Sequence, residues 1–103
     1  MRIPKGGPPT PPGEMLLEEF LRPLGMTQKD LAHRIGVDYV RVNELVHGKR
    51  RMTPSTALRL GKVFETSPEF WLNGQLALDL YYATHNEEEV QAVEKIEPVY
   101  SQA

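Results

Sequence analysis

The stretch from Thr27 to Gly48 reads TQKDLAHRIGVDYVRVNELVHG, and its spacing decides the fold. Counted from Gln28, the apolar residues Leu31, Ile35, Val37, Val42 and Leu45 fall 3, 7, 9, 14 and 17 places on. These are the positions that meet where two short helices cross. Ala32, four places on, is small enough to let the second helix approach closely. Gly36, eight places on, supplies the positive φ that a short turn between the helices needs. Thr27 and Asp30 stand three apart, the spacing of a capping box at a helix start. All seven constrained places from Leu31 to Leu45 carry a suitable residue, which defines a helix-turn-helix over roughly Thr27 to His47.

Removing the seam positions from the second helix leaves Tyr39, Val40, Asn43, Glu44 and His47 facing outward, with Arg41 flanking. In helix-turn-helix units the N-terminal half of this helix enters the major groove of DNA. Asn43 can pair bidentately with adenine, Arg41 can reach guanine or a phosphate, and Val40 can touch a thymine methyl. Glu44 can accept from cytosine or repel mismatched sites. Thr27 and Gln28 open the first helix, where backbone N–H groups favour a phosphate. Directly after the second helix comes His47-Gly48-Lys49-Arg50-Arg51, a loop whose three consecutive cations are expected to hold the sugar-phosphate backbone. The expected DNA-binding set is therefore Thr27, Gln28, Tyr39, Val40, Arg41, Asn43, Glu44, His47, Lys49, Arg50 and Arg51.

Working outward, residues 1–12 carry Pro4, Pro8, Pro9, Pro11 and Pro12 and read as an extended arm of polyproline II character. From residue 13, Met15, Leu16, Glu19, Phe20 and Leu24 repeat near helical spacing until Pro23-Leu24-Gly25 stops the run. Asp38 is expected to cap the second helix of the motif. Thr53-Pro54 and Ser67-Pro68 each set a capping hydroxyl before a proline at the first helical position, which predicts two more helices. No alternating strand pattern occurs, so the fold class is all-α, with five helices over residues 13–86. Residues 87–103 are expected to form a frayed or extended acidic tail, with Val90, Val93 and Ile96 leaving a short helix or strand open.

The net charge of −2 over 103 residues conceals an asymmetry. Residues 1–26 balance three basic against three acidic residues, residues 27–62 carry eight basic against three acidic, and residues 63–103 carry one basic against eight acidic. The segment charges are thus 0, +5 and −7, and a basic middle is the electrostatic footprint of a nucleic-acid binder. No cysteine is present, which excludes disulfides, thiolate zinc sites and thiol nucleophiles. His33, His47 and His85 lack metal-ligand spacing, and no phosphate-binding loop or nucleophile elbow occurs. Neither an enzyme nor a cofactor or metal is expected. No signal-like start and no apolar run of membrane length occurs, so a cytoplasmic protein without membrane contact is expected.

TQKDLAHRIGVDYVRVNELVHGKR resembles the Cro and phage-repressor class of helix-turn-helix. The wider string, with PGEMLLEEFLRPLG in front, VNEL in the middle and SPEFWLNGQ behind, resembles the HigA (VapI) family of antitoxins over about two thirds of the chain, Pro12 to Leu80. Asp38-Tyr39 stands where that family more often has a small residue followed by a basic one. The resemblance implies a homodimeric five-helix antitoxin that binds and neutralises a small RNA-cleaving toxin and represses its own operon.

Such a toxin is expected to be basic, since it must hold a polyanion, and the acidic C-terminal side with Glu14 and Glu18 is expected to face it. On the last predicted helix, Phe70, Trp71, Ala77, Leu78, Tyr81 and Tyr82 share one arc, and Leu72, Leu76 and Leu80 form a second stripe. Trp71, Leu78, Tyr81 and Tyr82 are the expected dimerisation residues, and a homodimer predicts a near-palindromic operator. Two other readings stay open: a stand-alone dimeric repressor without a toxin, and an interaction module that keeps the fold without reading DNA.

Overall fold

The computed structural model describes residues 7–100, which form six helices and no strand. Helix α1 is continuous but changes pitch, running as Pro12–Met15, a π-helical turn Leu16–Leu21, and Arg22–Leu24. Pro23 accounts for the change: it offers no N–H and its ring crowds the carbonyl of Glu19, so the preceding turn widens and the Arg22 amide reaches Leu17 O. Then follow α2 (Gln28–Ile35), α3 (Tyr39–Val46), α4 (Pro54–Phe64), α5 (Pro68–Thr84) and α6 (Glu87–Glu94).

The predicted starts are present for α2, α4 and α5. Thr27 Oγ1 accepts from the Asp30 amide at 3.0 Å while Asp30 Oδ2 accepts from the Thr27 amide at 3.2 Å, completing the capping box. Thr53 and Ser67 accept from the amides of Thr56 and Phe70, each before a proline. Asp38 departs from expectation: it occupies the cap position of α3 but its side chain makes no capping bond. Four helices end alike, with a residue in the left-handed region and an amide reaching back five residues: Met26 to Leu21, Val37 to Ala32, Lys49 to Glu44 and Thr66 to Gly61. Glycine holds the left-handed place in three of them; in the fourth it is Glu65, at φ 57°.

A sixth helix takes the place of the frayed or extended tail and is the short helix that the sequence left open there: Asn86 caps α6 by accepting from the Glu89 amide at 3.0 Å, and three glutamates fill its first turn, favourably placed at the positive end of the helix dipole. The N-terminal arm is described only from residue 7; residues 1–6, with Pro4, lie outside the described residues. Pro11, at φ −61° and ψ 147°, has polyproline II geometry directly before α1.

The core gathers Leu16 and Leu21 of α1, Leu31 and Ile35 of α2, Val42 and Leu45 of α3, Leu60 of α4 and Trp71 of α5. Phe20, Phe64 and Phe70 surround Trp71, with Phe20 and Phe70 ring centres each 5.0 Å from it. The Trp71 indole N–H donates to Thr66 Oγ1 at 2.8 Å, so its one polar atom is satisfied. Trp71 is 1% exposed. It fills the interior of a single chain and offers nothing to a dimer mate, which corrects its place among the dimerisation residues. Leu78 and Tyr81 are half-buried and Tyr82 is exposed. The apolar side chains of α5 left largely in water are Leu76, Leu80 and Tyr82, at 54, 55 and 58%.

Candidate nucleic-acid interface

The apolar support of helix α3 comes from behind. Val42, Leu45 and Val46 bury against the seam with α2, where Gly36 turns the chain at φ 72°. At its C-terminal end the α3 backbone rests on Gly13 of α1, so close that a Cβ there would lie 1.8 Å from Leu45 O. Only glycine admits this approach of two helices.

The front of α3 carries the residues expected there. Val40 is 58% and Tyr39 42% exposed. Asn43 Nδ2 donates to Gln28 Oε1 at 3.0 Å and lies 3.3 Å from the Tyr39 hydroxyl, so residues from both helices of the motif form one polar unit. The ammonium of Lys29 sits over the Tyr39 ring, 5.8 Å from its centre. With these bonds made, Gln28 still has an amide donor and Asn43 an amide acceptor to offer outward, the complement of an adenine edge.

The flanking charges are arranged differently from the sequence expectation. Arg41 turns away from the front: its Nη2 donates to Thr56 Oγ1 at 2.8 Å and to Ser55 Oγ at 3.4 Å, joining α3 to the first turn of α4. Glu44 accepts from Nε and Nη2 of Arg50 at 3.2 and 2.9 Å. Arg51 makes a two-pronged bond to Asp79 of α5, at 3.0 and 2.5 Å. The guanidinium of Arg51, followed by the amide of Gln75, holds the Asp79 carboxyl below its ordinary value. Lys49 makes no ion pair among the described residues and stands exposed. His47 Nδ1 lies 2.8 Å from Asn43 O at the end of α3, so that ring closes the helix. Thr27 is occupied as the cap of α2.

Sequence reasoning missed Gly13, Ser55, Thr56, Gln75 and Asp79. Only SPEFWLNGQ contained a signal, since it singles out Gln75 without saying what it does. Buried at the centre of α5, Gln75 accepts from the Met52 amide at 2.9 Å and donates to Asp79 at 3.0 Å.

A buried two-helix seam, an exposed second helix and a cationic loop at its end define a helix-turn-helix protein of the phage-repressor type. The helix-turn-helix family matches residues 17–71 of this chain. Antitoxin HigA-1 of Vibrio cholerae is 44% identical over 73 residues, 71% of this chain and 69% of that protein. Virulence-associated protein I of Dichelobacter nodosus is 40% identical over 96 residues, 90% and 89% of the two chains. An uncharacterised helix-turn-helix transcriptional regulator of Haemophilus influenzae is 41% identical over 90 residues, 87% and 84%. Among solved structures, the antitoxin HigA of Pseudomonas aeruginosa with the higBA promoter superposes with a TM-score of 0.79 at 35% identity, covering 88% of this chain and 98% of its own. The antitoxin GraA in complex with its operator gives 0.80 at 33%, covering 95% and 98%. The chain belongs to the HigA (VapI) family of helix-turn-helix proteins.

Proposed function

We propose that this chain is an antitoxin that represses its own operon as a homodimer on a near-palindromic operator and neutralises a small, basic, RNA-cleaving toxin. The observation that carries the DNA-binding half is the Gln28–Asn43–Tyr39 unit on an exposed helix front, flanked by a cationic loop. Val40 and the Gln28–Asn43 pair read base edges; Lys49, Arg50 and the N-terminus of α2 hold phosphates. Arg41 supports α3 from α4. Relatives solved with promoter or operator DNA support the same role for this fold.

The toxin half is supported by the antitoxin names of relatives and by a complementary surface. A groove of about 600 Å³ along α1 is lined by Glu14, Glu18 and Glu19, with Met15, Phe20 and Phe70 between them. Acidic walls around an apolar floor suit a basic protein partner. The dimer is supported by Leu76 and Leu80, a stripe on α5 that the chain itself leaves uncovered. The neighbouring reading, a stand-alone repressor, is favoured by relatives known only as transcriptional regulators.

Two measurements test the proposal. Fluorescence anisotropy on the chain's own upstream DNA is expected to show tight binding that random duplex does not match; equal binding to both would overturn the repressor half. Co-expression with each small reading frame adjacent to its gene is expected to find one that is toxic alone and silent with the chain. No toxic neighbour would leave the repressor without a toxin.

A further inference from the structure

The loop after α3 carries three successive cations, yet two of them are engaged within the chain, and Arg51 is engaged most completely. Both of its terminal nitrogens are on Asp79, and Asp79 is aimed by Gln75, which is 9% exposed. Gln75 in turn is pinned by the amide of Met52, the residue after Arg51, and Met52 is 3% exposed. Side chain and backbone of the loop are therefore held by one pair of residues a helical turn apart on α5. An isolated exposed ion pair contributes little. Here, however, the carboxylate is oriented by a buried amide, and the guanidinium is bound at two points, so swinging it to a phosphate breaks a closed ring of bonds.

We propose that Asp79 limits the affinity of the chain for DNA: it keeps Arg51 on α5 as a tether of the loop and withholds it from phosphates. The proposal rests on the DNA-binding reading above. A phosphate contact strengthens binding to every sequence alike, whereas base contacts strengthen only the operator. Withholding one cation therefore lowers affinity for operator and random DNA by the same factor and leaves the Gln28–Asn43 unit, and the ratio of the two affinities, untouched. Gln75 is the positioning residue behind Asp79, fixing the loop so that Lys49 and Arg50 flank the front of α3.

The test compares wild type, Arg51→Ala, Asp79→Asn and the double variant on a random-sequence duplex and on the chain's own upstream DNA, with salt varied between about 50 and 200 mM. Arg51→Ala is expected to leave the salt slope of wild type unchanged. Asp79→Asn frees Arg51 to reach a phosphate; the slope steepens by about one, and the gain on random duplex is about three- to fourfold larger at the low-salt end than at the high. The double variant returns to the wild-type slope, and the operator-to-random ratio is the same in all four proteins. A structural role alone would move melting temperature in all three variants but not the slope of one. Exchange of the Met52 amide gives a reading free of DNA: it is expected to be slow in wild type and fast in Gln75→Leu. Arg51→Ala flattening the slope by about one, or Asp79→Asn leaving it unchanged, would overturn the proposal. A wild type that binds neither duplex would overturn the DNA-binding reading itself, and this inference with it, before any variant is compared.

Discussion

At the scale of single residues, the pairing of Gln28 with Asn43 makes two base-reading candidates act as one. Asn43→Ala is expected to cost about 1–3 kcal/mol on operator DNA and little on random duplex. Because the two amides share a hydrogen bond, Gln28→Ala and Asn43→Ala are expected to be non-additive by at least about 0.5 kcal/mol in a double-mutant cycle measured by anisotropy. Glu65 offers a second test. It holds a left-handed conformation that costs an L-residue roughly 1–2 kcal/mol, while glycine there surrenders about 0.4–1 kcal/mol of unfolded-state entropy. Glu65→Gly should therefore stabilise the chain by about 0.5–1 kcal/mol, read as a higher urea midpoint at unchanged slope. Gly36 was legible from sequence because a short turn between two periodic segments demands it. Glu65 was not, because nothing local marks a glutamate as left-handed.

At the scale of helices, what could be read in the sequence was what is local: capping hydroxyls before prolines, the capping box, and the seam of α2 with α3. What could not be read joins residues far apart in the chain. Gln75 with Met52, and Asp79 with Arg51, lie 23 and 28 residues apart, and no periodicity announces them. The same holds for Gly13, which reads only as the place where the proline-rich arm gives way to helical spacing and is in fact the contact on which α3 rests. Gly13→Ala should cost about 3 kcal/mol or more, since two backbones would have to separate; thermal unfolding measures it. The capping box predicts an acid dependence. The Thr27 amide, and then the Thr27 hydroxyl, hold the Asp30 carboxyl below its ordinary value of 3.8. The folded chain thus favours the charged form, and the stabilisation is complete above that ordinary value and lost as pH falls through the folded one. Asp30→Asn should lower stability at neutral pH, with the difference shrinking below about pH 4.

At the scale of the whole molecule, the described residues span 54 × 26 × 26 Å, and helix α6 follows α5 with no buried residue of its own while the core gathers α1 to α5. Leu76 and Leu80 lie on the exposed side of the long helix that links core and end. Leu76→Glu together with Leu80→Glu should leave the fold intact, since neither side chain is in the core, and convert a dimer into a monomer with weakened operator binding. Sedimentation equilibrium checks this, and a wild type that is monomeric at tens of micromolar would remove the dimer. The support of α3 from behind has a further consequence. Gly13, Val42, Leu45 and Val46 carry its stability, so Tyr39, Val40 and Asn43 are free of any duty to the core. A lineage can exchange those three residues and acquire a new operator at almost no cost in folding. Duplicated copies in one genome could thereby diverge in address, each ignoring the other's promoter, while sharing one unaltered scaffold.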